Sequence, residues 1–252
     1  MTDRAGDVEA AAFQARRSGA RLTRPALKSA YFPTLSLAYH LHALPERELI
    51  YVKNPKAACS TVLLWLHRLH TGDHDFSPDH VHEQHGIPRP GEIGWRRVIG
   101  MLSGDSFRFT FVRNPMDRLE SGYRDKIVNS RGWREKVQTT LDLPVDPETP
   151  VSFDQFLSAL ELQDPVSQMD PHWRPQHVNL MHPLVEFDHI GHVESFDHDL
   201  AIIRRAAHLP DVPLEVRNVS RTSGLTSVYA GRPDRVRRVE AIYATDFELY
   251  GY

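Results

Sequence analysis

Residues 53 to 61 read Lys-Asn-Pro-Lys-Ala-Ala-Cys-Ser-Thr and bring two of the chain's five lysines together among small and hydroxylated side chains. The stretch lies where a β-like run, LIYVKN (49 to 54), gives way to an apolar run, STVLLWLHRLH (60 to 70). At the carboxyl end of a strand in a parallel α/β sheet, the next helix offers unpaired N–H groups and about half a positive charge. Such a place binds anions. Ala57 and Ala58 let the backbone come close, Ser60 and Thr61 can donate hydroxyl hydrogen bonds, and Lys56 adds a full charge that can swing onto a phosphate or sulfate oxygen. Cys59, in the same loop, reads as a small filler packed behind the anion; a nucleophile favoured by the helix N-terminus is the competing reading. The bland alternative for the whole stretch is a strand-to-helix turn with a solvated lysine. A Walker A loop is not present: G-x-x-x-x-G-K-[ST] is absent, and Lys56 precedes the small residues instead of following them.

A second strand, loop and helix repeats the arrangement in FTFVRNPMDRLESGYRDK (109 to 126). Arg113 ends the strand and Ser121 lies eight residues on, so both could reach one phosphate if the chain turns at Asn114-Pro115. Between the two elements, DHVHEQH supplies His80, His82, Glu83 and His85. Imidazole titrates near neutrality and suits a general base. Solvated loop histidines are one competing reading. A metal site of H-x-H-x-x-H type is another, although the helical H-E-x-x-H spacing is missing.

The elements that would position these residues follow from periodicity. At 252 residues, with 40% apolar and 25% charged residues, the chain reads as one soluble globular domain after a helical lead-in over residues 1 to 45. Strands are expected at 49 to 54, 106 to 113 and 187 to 193. Helices are expected at 60 to 70, 94 to 103, 116 to 128, 152 to 162, 196 to 209 and from 232 to the end, with Ser152 as a cap. The long stretches 71 to 94 and 129 to 150 read as a surface loop and as a mobile segment or lid. Strands alternating with helices predict an α/β fold with a central parallel sheet.

The net charge of −3 argues against a protein that coats nucleic acid. One cysteine rules out an internal disulfide framework and suits a reducing compartment. No apolar leader and no run of about 20 apolar residues is present, so a cytoplasmic protein with no membrane span is expected. The sequon at Asn218 is then a chance match.

NPKAACST resembles the 5'-phosphosulfate loop of sulfotransferases, and FVRNPMDRLESGYRDK resembles their 3'-phosphate element. The branch most similar is that of the carbohydrate sulfotransferases, which includes the HNK-1, chondroitin and heparan 2-O enzymes. DPHWRPQ (170 to 176), FDHIGHVESFDHDL (187 to 200) and the ending IYATDFELYGY are similar to it too. The resemblance implies a P-loop-like three-layer fold and 3'-phosphoadenosine 5'-phosphosulfate as donor, with no metal required. It implies that Lys56 contacts the bridging or 5'-phosphate oxygens, that the loop from Ala57 and Ala58 through Cys59, Ser60 and Thr61 cradles the phosphosulfate, and that Arg113 and Ser121 bind the 3'-phosphate. Related enzymes use a histidine or glutamate as base, which makes His82, then His80, the candidates here.

The expected activity is sulfuryl transfer to a hydroxyl of a carbohydrate or glycosylated small molecule. An ATP-dependent small-molecule kinase and a non-catalytic nucleotide-binding module are the alternatives. HWRPQ has no derivable role, beyond Trp173 as a packing anchor and Arg174 facing donor or acceptor. Arg221 is a further candidate phosphate ligand.

Overall fold

In a computed structural model of the chain, residues 37–217 and 226–252 are described. The first 36 residues of the expected lead-in, the Asn218 sequon and Arg221 lie outside the described residues. The strands are β1 (Leu41–Leu44), β2 (Leu49–Val52), β3 (Phe107–Val112) and β4 (His189–His192). The longer helices are α1 (Cys59–Thr71), α2 (Trp95–Ser103), α3 (Pro115–Gly122), α4 (Arg131–Thr140), α5 (Phe153–Glu161), α6 (Phe196–Ala206), α7 (Pro233–Ile242) and α8 (Ala244–Tyr250). They fall into two compact units: one holds the chain up to Val112 and again from Gln176, the other Arg113–Pro175 and the C-terminal segment.

The first unit carries the sheet, in the order β1-β2-β3-β4, with β2, β3 and β4 parallel. All four residues of β2 and the last four of β3 are buried, as expected for strands covered on both faces. The Thr110 hydroxyl donates to the Val52 carbonyl at 2.8 Å and so ties the ends of β2 and β3 side by side. Helix α1 is sunk in the core through Val62, Leu63, Leu66 and Leu69, as its apolar spacing predicts. It stops at Gly72, whose φ of 74° few other residues tolerate and whose N–H returns to the Arg68 carbonyl. The sheet differs from expectation at one edge, because β1 pairs antiparallel with β2 where a helical lead-in was predicted. His40 and His42, polar side chains in and beside this strand, are both buried.

The second unit is helical around Leu119, Phe156, Trp173, Val239 and Tyr243. Ser152 caps α5 as predicted, in a reciprocal box with Gln155. Residues 129 to 150, expected as a mobile segment or lid, contain α4. The Arg134 guanidinium ties it to the Ile127 and Pro147 carbonyls, and Gln138 exchanges hydrogen bonds with the Asp146 backbone. The final helix breaks into α7 and α8 at Tyr243, whose buried hydroxyl donates to the Trp173 carbonyl. No helix of the described residues is long and apolar enough to cross a membrane.

Candidate active site

The chain leaves β2 through a loop fixed at its base. Lys53 N–H donates to the His40 carbonyl at 2.7 Å, and His40 Nδ1 bonds the Lys53 carbonyl at 2.8 Å. The Asn54 side chain, fully buried, donates to the Phe111 carbonyl at 3.1 Å and to Gln176 Oε1 at 2.8 Å. Beyond it Lys56 and Ala58 adopt φ of 68° and 56°. Left-handed backbone in a residue other than glycine costs about 1 kcal/mol or more and persists where the surroundings enforce it, often at functional sites. Ala58 then opens α1 with no side-chain cap. A serine or aspartate cap would stabilise the helix by about 1 kcal/mol but would occupy the first-turn amides; an alanine leaves their concave approach to an anion. Ala57, Cys59, Ser60 and Thr61 are buried around this turn, and Thr61 Oγ1 accepts from the Arg217 N–H at 2.9 Å.

The histidine loop closes on the same helix end. Val81 is buried in the core and anchors a short turn, Val81–Gln84, so that the next side chain, His82, faces α1. His82 Nε2 lies 2.9 Å from Ser60 Oγ and 3.8 Å from Cys59 Sγ. His80 is exposed, and its backbone N–H bonds Gln84 Oε1 at 3.2 Å. Of the two candidate bases, the fold brings His82 to the loop.

Behind the loop is a basic cluster that sequence reasoning left unassigned. Lys53 is 2% exposed, and its ammonium lies 3.2 Å from the centre of the Tyr39 ring. Burial pulls its pKa down to about 8. His42 stacks on Tyr51 and meets His85 edge to face. Burial first, and the Lys53 charge second, hold His85 at about 4 and His42 well below the usual imidazole range. Both rings are therefore neutral at pH 7. The available signal was compositional: Lys53 is a second lysine in a chain whose cations are mostly arginine.

In the second unit, Arg113 is half-buried just before α3, and Asn114 caps that helix by accepting from the Met116 N–H. Ser121 is in its last turn, so the two predicted 3'-phosphate ligands stand at opposite ends of one helix. Arg118, almost fully buried, donates to the Arg174 and Pro171 carbonyls at 2.8 and 2.9 Å, locking α3 to the HWRPQ segment. Trp173 is the expected packing anchor, edge-on to Trp133 and Phe156. Arg174 is buried, donates to the Met169 carbonyl, and is held at about 10 chiefly by desolvation. Asp170 holds His172 Nδ1 at 2.6 Å. Among the described residues, no group of three or more His, Cys, Asp or Glu side chains is arranged to hold a metal ion.

A family model described as the sulfotransferase family matches residues 39–252. The chain belongs to that family. The match starts at Tyr39, two residues before β1, so the antiparallel edge strand is part of the sulfotransferase domain. Among curated proteins the chain is similar to carbohydrate sulfotransferase 8 of Mus musculus, 27% identical over 81% of this chain and 54% of that one. It is also similar to carbohydrate sulfotransferase 10 of Xenopus laevis, 27% identical over 69% of this chain and 54% of the relative. Carbohydrate sulfotransferase 12 of Xenopus laevis is 30% identical over 58% of this chain and 40% of its own. The chain thus spans about half the length of the curated relatives it matches. No solved structure gives a significant match.

Proposed function

We propose that this sulfotransferase moves a sulfuryl group from 3'-phosphoadenosine 5'-phosphosulfate to a hydroxyl of a carbohydrate or glycosylated small molecule, in a reducing compartment such as the cytoplasm. The observation that carries the reading is the loop after β2. Two left-handed residues, Lys56 and Ala58, end in a helix without a side-chain cap, and His82 reaches the first-turn hydroxyl of Ser60. The names of the matched relatives support a carbohydrate acceptor. The donor supplies a sulfuryl group activated by its link to phosphate.

Each residue then has a task. The amides and hydroxyls at Ser60 and Thr61 hold the anion in line with the acceptor. Lys56 neutralises charge that grows on the phosphate oxygen as the sulfur–oxygen bond breaks. With its proton on Nδ1, His82 keeps Nε2 basic and bonds the Ser60 hydroxyl before the donor binds; when that hydroxyl turns to the anion, Nε2 is left to take the acceptor's proton as the new sulfur–oxygen bond forms. Arg113 and Ser121 select the donor through its 3'-phosphate.

The test is release of adenosine 3',5'-bisphosphate against a panel of hydroxyl-bearing carbohydrates. Lys56→Met and His82→Ala are each expected to lower kcat about a hundredfold. His80→Ala is expected to stay near wild type. Turnover unchanged in His82→Ala would remove the base assignment. Consumption of ATP in place of the phosphosulfate would replace the reaction itself.

A further inference from the structure

We infer that Gln176, the last residue of the HWRPQ motif, is a positioning residue for the donor loop and acts through Asn54. The inference rests on reading that loop as the phosphosulfate site. Both side chains are fully buried. Asn54 Nδ2 has two hydrogens to place, and one goes to the Phe111 carbonyl, which can only accept. That bond fixes which end of the Asn54 amide is nitrogen, and the second hydrogen then requires an acceptor. Gln176 Oε1 supplies it at 2.8 Å. On the other side Asn179 Nδ2 approaches Asn54 Oδ1 at 3.5 Å.

Asn54 also stands, with its side chain tied down, at the start of the strained turn. Its carbonyl accepts from the Ala57 N–H at 3.3 Å, and left-handed Lys56 lies inside that turn. Release of the Asn54 side chain therefore loosens the residue from which the turn starts. Without the Gln176 oxygen, a buried N–H loses its acceptor, a cost large enough to shift Asn54 from its place. Gln176 and Asn54 are 122 residues apart, so the two side chains meet only in the fold.

Calorimetry on the full chain separates positioning from general stability, because two nucleotides sample different contacts. Adenosine 3',5'-bisphosphate uses the loop through its 5'-phosphate; adenosine 3'-monophosphate does not. Gln176→Met is expected to weaken the bisphosphate about tenfold and leave the monophosphate unchanged. Gln176→Glu keeps an acceptor oxygen and should bind the bisphosphate near wild type. A folded Met variant that binds both nucleotides as wild type does, or loses both equally, overturns the inference. If the Met variant does not fold, Gln176→Asn, which withdraws the oxygen by one methylene, is read in the same way. If the wild type binds neither nucleotide, the donor reading fails, and the clamp is decided by hydrogen exchange at residues 57–62. Faster exchange in the variant upholds it; unchanged exchange overturns it.

Discussion

Lys53 shows what one residue contributes to this site and what it costs. Its ammonium is removed from water beside the loop, and among the described residues no carboxylate is paired with it; the Tyr39 ring is its partner. The gap between the ordinary value of 10.5 and about 8 corresponds to about 3 kcal/mol of differential stability between charged and neutral forms. The sign is set by which state holds the proton. Between pH 8 and 10.5 the folded protein has released it and the unfolded chain has not, so stability rises with pH across that window. Lys53→Met is expected to stabilise the protein at pH 7 by about 2 kcal/mol, after the lost Tyr39 contact is counted, and to flatten the rise. Denaturant unfolding at pH 7 and pH 10 measures both. A Met variant no more stable at pH 7, with the rise intact, would show that the ammonium is not held uncompensated. Under the proposed function, the ammonium beside the loop adds positive potential for an anionic donor.

At the scale of elements, the close fit of β3 and β4 holds the end from which the loop is hung. Gly191 faces Phe111 in register, and a Cβ there would lie 2.6 Å from the ring and 3.0 Å from Asp199 Cβ. Gly191→Ala is therefore expected to destabilise the fold by about 2 kcal/mol, read by denaturant unfolding, and an unchanged midpoint would mean that the ring has room to move. Helix α1, β2 and β3 were legible because their apolar spacing agrees with their burial. The strand β1 was hidden because His40 and His42 look polar in sequence, whereas desolvation keeps His42 neutral against Tyr51. Helix α4 was hidden because Arg134 and Gln138 hold it through the Pro147 and Asp146 carbonyls, beyond the reach of a helical repeat. The site divides in the same way. The strand-to-helix junction at Lys56 to Thr61 is a local pattern and was readable. His82 was one of several histidines until Val81 fixed its direction. The Asn54–Gln176 bond has no local pattern at all.

For the whole molecule, the loop from Lys56 to Thr61 belongs to the first unit, and Arg113 and Ser121 to the second. The chain belongs to the sulfotransferase family while spanning about half of its matched relatives. The central claim is that the chain binds a donor with phosphates at both the 3' and 5' positions. Calorimetric titration of adenosine 3',5'-bisphosphate into wild type and Arg113→Ala, with ATP and AMP as controls, tests it most directly. The account predicts binding that needs the 3'-phosphate and is weakened about a hundredfold in Arg113→Ala, since a charge-assisted arginine contact contributes about 3 kcal/mol. Absence of binding, a preference for ATP, or equal affinity in the Arg113→Ala variant would contradict it.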